Sequence, residues 1–389
     1  MAEILKVVGK KETQVPIISW ADDLDDGSIE QAINLASLPF AFKRVCLMAD
    51  AHVGYGMPIG GVFAAEKHII PNAVGVDIGC GVRAWCTNVE LERFMPLRSK
   101  ILKEIHRSIP TGFDWHRKPQ ADEIFYRAPK SPVLSRELSR ARRQLGTLGG
   151  GNHFIEAQVD ERGIVWLMVH SGSRNLGKQV ATYYNEVAKE WCKKNFPSIP
   201  SSYQLACLHV DTDLGKEYIA AMQYCLDFAR ANREHMMKRM LAIWSEHFDD
   251  TPSPYIDVHH NYAAYERHFG TKLWVHRKGA VRAEGQVIVP GSMGTRSYIC
   301  LGLENPESFY SCSHGVGRVL GRREAKRKIS VKEVKRQLEV QDIELFKTKM
   351  RDVAEESPEA YKDIDKVMQN QNDLVKIQVA LTPLGVIKG

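Results

Sequence analysis

The chain has 389 residues, 44% of them hydrophobic and 26% charged, with a formal net charge of +6; this suits a globular protein with a large core and admits a polyanionic partner. No apolar run reaches the roughly 18 residues of a membrane span, and the first residues lack the basic start and apolar core of a secretory signal. The eight cysteines are scattered with no C-x-x-C pair, which argues for a reduced, cytoplasmic protein without a structural zinc finger.

The first 90 residues or so read as strand-rich, with a short amphipathic helix at 28–38. Val45-Cys46-Leu47-Met48-Ala49 is an apolar run that predicts a buried strand, ending in a polar, glycine-rich loop at 50–56. Residues 97–109 read as a helix, and 110–135, rich in Pro, Arg and Lys, as an irregular excursion. Strands are expected at 153–158 and 164–169 behind a glycine-rich turn at 146–152. Helices follow at 177–195 and 214–248. In the second of these, Ile219, Met222, Leu226, Met236, Met240 and Ile243 recur at helical spacing, which predicts a packed core face rather than a cofactor site. Strands at 272–276 and 286–289, helices at 315–328, 331–339 and 358–370, and an apolar strand at 375–381 complete the chain. No repeat or low-complexity linker divides it. The expected architecture is an α+β fold, a single large domain over 1–389 with mixed β-sheets, surrounding helices and an active site in a central cleft.

Four short motifs carry chemistry. Cys80 sits among small residues in Gly75-Val76-Asp77-Ile78-Gly79-Cys80-Gly81, with the Asp77 carboxylate three positions upstream. Histidines stand beside Gly, Asn or Ser in Gly151-Asn152-His153-Phe154, Val169-His170-Ser171-Gly172-Ser173-Arg174 and His259-His260-Asn261. Any one of these residues alone is most simply a satisfied or buried side chain. Together, one Cys, one Asp and three His are too many for a closed tetrahedral site but fit two open ones, with the thiolate able to bridge. Paired metals suit phosphoryl-transfer chemistry. The fourth motif, Ser313-His314-Gly315-Val316-Gly317-Arg318, sets an imidazole beside backbone donors and a guanidinium, and it could open a helix whose N-terminus favours an anion. Imidazole can attack phosphorus and form a phosphoramidate. There is no Walker A sequence and no G-x-S-x-G elbow. Basic runs at 318–336 and 136–143 make a nucleic acid a reasonable partner, though no RNP-type aromatic signature supports base-specific readout.

Across nearly its whole length the chain resembles the RtcB RNA-splicing ligases, also called 3′-phosphate RNA ligases. The matching segments are 50–56, 75–81, 146–156, 170–174, 259–261, 290–294, 313–318, Tyr361-Lys362-Asp363-Ile364-Asp365 and Lys388-Gly389. The resemblance implies joining of RNA 2′,3′-cyclic phosphate or 3′-phosphate ends to 5′-hydroxyl ends, using GTP and two Mn²⁺ ions. It implies that Cys80 bridges the ions, that His170 and His260 complete one, and that Asp77 and His153 complete the other. His314 would become guanylylated, GMP would pass to the RNA 3′-phosphate as RNA 3′-pp-G, and the 5′-hydroxyl would displace it. Asn152, Phe154, Glu156, Ser297, Gly315, Val316, Gly317, Tyr361 and Lys388 match positions around GMP. Arg174, Lys278 and Arg318, with Asp50 and His52, match phosphate or RNA-end contacts. The substrates implied are tRNA halves or damaged RNA, ribosomal RNA included. The state implied is a cytoplasmic monomer or weak dimer, with room for an accessory activator protein. The chain departs from the family in a shorter stretch between 110 and 146, in Val316 for Ala and in Ala51 for Val. These departures bear on the choice of RNA, in repair or in tRNA splicing. A metal-dependent phosphoesterase or cyclic phosphodiesterase on RNA ends, or a non-catalytic RNA-binding paralogue, are the alternatives.

Overall fold

The computed structural model describes residues 3–5, 13–250, 253–347 and 350–389. It has the α+β architecture expected, built on two large mixed sheets with helices packed around them. The first sheet has the order Glu3–Leu5, Ile17–Ser19, Val45–Tyr55, Met57–Ala65, Thr271–Lys278, Asn261–His268. The second runs Ile256–His259, Gly81–Glu90, Ile164–Ser171, Phe154–Val159, Val375–Lys388, Ser297–Gly302, Gln286–Val289, and Glu344–Lys347 joins it in parallel beside residues 385–388 of Val375–Lys388.

The site depends on how that second sheet ends. Its first four strands are antiparallel neighbours, with Val82 and Phe154 both opposite His170 and Gly81 opposite His259. Cys80 precedes one strand, His153 precedes another, His170 lies at the end of a third, and His260 follows the fourth. Antiparallel pairing therefore brings residues up to 180 positions apart to one edge.

The helix Asp213–Ser245 packs beneath that edge. Thr212 caps it, its hydroxyl accepting from the Gly215 amide at 3.1 Å. Its buried face runs Tyr218, Met222, Cys225, Ala229, Met236, Met240, Trp244; Met236 and Met240 share a core with Trp85, Phe94 and Trp244, and Met222 shares another with Tyr218 and Phe228, as the spacing predicts.

Several local expectations are corrected. Residues 50–55 are not a loop but the far half of Val45–Tyr55, whose register slips between Leu47 and His52 and again before Tyr55; the bulges leave Asp50 buried in the sheet. The helix expected at 315–328 forms only over Arg322–Lys328, because Gly317 takes φ +70 and turns the preceding run into a loop, so His314 does not lie at a helix N-terminus. The excursion at 110–135 ends early, with Pro132 at the first turn of the helix Pro132–Gln144. Residues 358–370 split into a 3-10 turn, Pro358–Ala360, and the helix Ile364–Asn370. The apolar strand expected at 375–381 runs on to Lys388, with a register shift between Pro383 and Gly385, and pairs antiparallel first with Ser297–Gly302 and then with Phe154–Val159.

Candidate active site

Cys80 is 3% exposed, at the end of a turn closed by its amide on the Asp77 carbonyl (3.0 Å). Its Sγ lies 3.4 Å from His153 Nε2 and 3.3 Å from His170 Nε2; His170 Nε2 lies 3.0 Å from His260 Nε2, and His153 Nε2 lies 3.0 Å from Asp77 Oδ2. The donors fall into two groups, Cys80–His170–His260 and Asp77–Cys80–His153, each with its ligand atoms within 4.8 Å of one another. Cys80 is the residue they share.

The electrostatics of this cluster call for a cation. His153 Nδ1–H donates to the Leu148 carbonyl at 2.9 Å, which turns Nε2 toward the Asp77 carboxylate. Burial, reinforced by the neighbouring imidazoles, holds His170 and His260 well below the usual histidine range, so both present neutral nitrogen. Burial and then the Asp77 charge push the Cys80 thiol well above its ordinary value. Burial works against the Asp77 carboxylate as well, but the His153 contacts and Arg174 outweigh it and keep Asp77 ionised. Asp77 Oδ1 and His260 Nδ1 are shielded from water with no hydrogen-bond partner among the described residues. A soft-and-hard donor set with lone pairs turned toward each other fits divalent cations, and binding one would expel the thiol proton.

His314 lies beside this cluster, its ring centroid 4.7 Å from that of His260. The fully buried Asp50 holds it twice. One carboxylate oxygen accepts from His314 Nδ1–H at 2.6 Å and from the His314 backbone amide at 3.2 Å. In the neutral ring this leaves the Nε2 lone pair free. Gly317 is required here: a Cβ would strike the Asp50 backbone, and the backbone is in the left-handed region.

His314 opens on a cavity whose walls include Asn152, Phe154, Glu156, Gly315, Val316, Gly317, Arg318, Tyr361, Lys388 and His52. Lys388, near the chain end, is fixed there by strand pairing with Phe154, and its Nζ donates to Glu356 (3.2 Å) and to the Asn152 carbonyl (3.5 Å). Glu156 keeps its side chain in the cavity, and burial pushes its carboxyl up to about 7.

A family model described as tRNA-splicing ligase RtcB matches residues 31–389. The chain belongs to the RtcB family of RNA ligases. The RNA-splicing ligase RtcB of Escherichia coli K12 is 37% identical over 96% of this chain and 97% of its own length. The tRNA-splicing ligase RtcB of Archaeoglobus fulgidus is 36% identical (94% and 92%), and the RNA-splicing ligase RtcB of Mycobacterium tuberculosis is 32% identical (92% and 100%). RNA ligation, and hence an RNA substrate, follows from that membership. No helix among the described residues is long and apolar enough to cross a membrane.

The remaining RtcB-like positions fall in other places. Ser297 does not line the cavity; it sits behind the wall, its hydroxyl accepting from the Gly291 amide and from Gln158, both at 3.1 Å. Lys278 is turned into the protein, donating to the Tyr55 (2.6 Å) and Asn72 (3.2 Å) carbonyls, and burial pulls its ammonium down to about 7. All three Arg318 nitrogens are engaged, by Leu320 and Glu355 carbonyls, Glu356 and the Tyr361 hydroxyl. Arg174 begins its helix with φ +60 and packs its guanidinium beneath Gly149, within electrostatic reach of Asp77.

Sequence reasoning missed Glu356. It is 1% exposed and binds Tyr361, Arg318 and Lys388; burial would raise its carboxyl, but Lys388 foremost among these cations holds it at about 2. It also missed Asn232 and Arg233, which tie the Gly146, Ser171 and Gly79 turns together from below. A signal for these two was present: a polar pair on the otherwise apolar stripe of Asp213–Ser245.

Proposed function

We propose that this protein seals RNA 3′-phosphate or 2′,3′-cyclic phosphate ends to 5′-hydroxyl ends through a GMP carried on His314, and that 1–389 works as one catalytic unit. The observation that supports this best is His314 itself. Its Nε2 is left free by Asp50 at the junction of a metal-ligand cluster and a cavity with polar groups on the far wall. Nε2 attacks the α-phosphorus of GTP; the N–P bond forms, the bond to the bridging oxygen breaks, and pyrophosphate leaves. An RNA 3′-phosphate oxygen then attacks the same phosphorus and releases the imidazole, giving RNA 3′-pp-G. The 5′-hydroxyl attacks the RNA phosphorus and expels GMP. A cyclic end must first be opened by water to the 3′-phosphate.

Two Mn²⁺ ions held by Cys80, His170 and His260 and by Cys80, Asp77 and His153 would neutralise phosphate charge. Phe154 offers a face for the base, while Glu156 and Lys388 offer an acceptor and a donor for its edge. Asp50 keeps the proton on Nδ1 throughout.

Asp50→Asn tests that last role. The amide can donate to Nδ1 and so favours the tautomer with its proton on Nε2. Adduct formation should fall by about 10³–10⁴-fold with the fold intact, by analogy with carboxylate-to-amide changes behind other catalytic histidines. Wild-type labelling would show that the pair is structural only.

Deleting residues 388–389 should weaken GTP binding by about 10–100-fold, the worth of one or two charge-assisted hydrogen bonds. Metal content should not change. Unaltered affinity in a titration with a fluorescent GTP analogue would remove the chain end from the nucleotide site.

The whole reading is tested by incubation with Mn²⁺ and GTP labelled at its α-phosphate. An acid-labile covalent label is expected. Metal-dependent phosphate release from RNA ends without a label would instead favour the phosphoesterase.

A further inference from the structure

After the helix Arg98–Ser108 the chain runs alongside Gly149, in the turn that leads to His153. Thr111 bridges Gly149, the Gly112 amide donates to the Gly149 carbonyl (2.8 Å), and Arg174 donates to the Gly112 carbonyl (3.4 Å). The segment then runs outward along the end of the helix Pro132–Gln144. The His116 amide donates to the Arg143 carbonyl (2.9 Å), and the Arg143 guanidinium returns to the His116 carbonyl (3.0 Å). Farther out, the Gln120 amide donates to the Arg142 carbonyl (2.8 Å), and Arg239 binds the Gln120 side chain (2.8 Å). The backbone is thus pinned at several points.

Its large side chains nevertheless stand in water. Phe113 is 95% exposed and Trp115 37%, with the Arg143 guanidinium 5.9 Å over the Trp115 ring. Arg117 and Lys118 follow, both exposed, and Asp114 is the single carboxylate between 111 and 121. Rings displayed on a pinned backbone and followed by cations match a single-stranded nucleic acid. Every base offers a face to stack, and every linkage offers a charge.

We propose that residues 112–118 are a docking strip for single-stranded RNA ends, with Phe113 and Trp115 stacking bases and Arg117, Lys118 and Arg143 meeting phosphates. Its inner end abuts Gly149 and the turn that carries His153, so it delivers the terminal phosphate to the metal centre. The kind of end delivered rests on the ligase reading above; RNA binding by the strip does not. A protein partner seated on Phe113 is the competing occupant, but the cations beside Trp115 and the continuity with the site favour RNA.

The test titrates the full chain with fluorescein-labelled single-stranded RNA ending in a 3′-phosphate. Phe113→Ala and Trp115→Ala should each weaken binding by about 5–150-fold, the range for loss of one stacked base. Phe113→Tyr should bind as wild type. The double change Arg117→Ala, Lys118→Ala should reduce the slope of log affinity against log salt by about 1.4, two single-strand phosphate contacts. GMP labelling of His314, which needs no RNA, should stay within about two-fold in every variant. Wild-type RNA affinity in both alanine variants overturns the strip, whether or not a protein binds there. Equal loss in Phe113→Tyr overturns the stacking role. A wild-type protein that binds RNA through these residues but takes no GMP label would sink the ligase reading and leave the strip standing.

Discussion

His314→Ala should abolish covalent GMP labelling, by more than about 10³-fold, while Mn²⁺ uptake stays at the wild-type level. On the proposed route the side chain is the nucleophile, so its loss removes the covalent step altogether rather than slowing it. It belongs to neither metal-ligand group, although its ring packs against that of His260. Asp50 would keep only the backbone amide of residue 314 as a partner there, and an under-satisfied buried carboxylate costs about 1–3 kcal/mol. A melting curve separates that cost from the loss of chemistry. The label is counted on a denaturing gel. A persistent label in His314→Ala would place the nucleophile elsewhere, and the neighbouring His52 would be the next residue to replace.

Cys80→Ser should empty both metal positions together. Among the described residues only Cys80 belongs to both ligand groups, and its sulfur stands between His153 and His170. A serine hydroxyl is a far weaker ligand than a thiolate, and it ionises much less readily. Manganese affinity should fall by more than about 100-fold for both ions. Asp77→Ala, by contrast, should lose one ion of two. Metal content per protein after gel filtration reads both results. Two ions retained in Cys80→Ser would refute the bridge, and one ion lost in each variant would mean that the two groups work separately.

What could be read from the residues divides along a physical line. The clustered donors were legible because their neighbours are Gly, Asn or Ser that packing alone does not require, in the turns at Cys80 and His153 and at the strand end that carries His170. The strand Gln286–Val289 and the helix Val331–Val340 were legible because their periodicity is local. Asp50 was read only as a weak phosphate contact, since its partner lies 264 positions away and Gly54 and Gly56 made the segment look like a loop. Gly54 is taken up in the strand Val45–Tyr55, and Gly56, at φ +75, makes the turn into Met57–Ala65. Glu356 was hidden in the acidic pair Glu355-Glu356, which reads as surface until Lys388, Arg318 and Tyr361 converge on it. The helix expected after His314 failed because Gly315 and Gly317 favour a loop, and packing against Asp50 selects it. Arg318 and Lys278 looked like free cations, but the fold spends both on internal carbonyls, hydroxyls or carboxylates.

The most direct test follows one phosphorus atom. An RNA labelled at its 3′-terminal phosphate is incubated with a 5′-hydroxyl RNA, GTP, Mn²⁺ and the protein. The expected result is label inside the joined product, resistant to phosphatase, in amounts that require GTP and vanish in His314→Ala. Label released as inorganic phosphate, or joining that proceeds without GTP, would contradict the account.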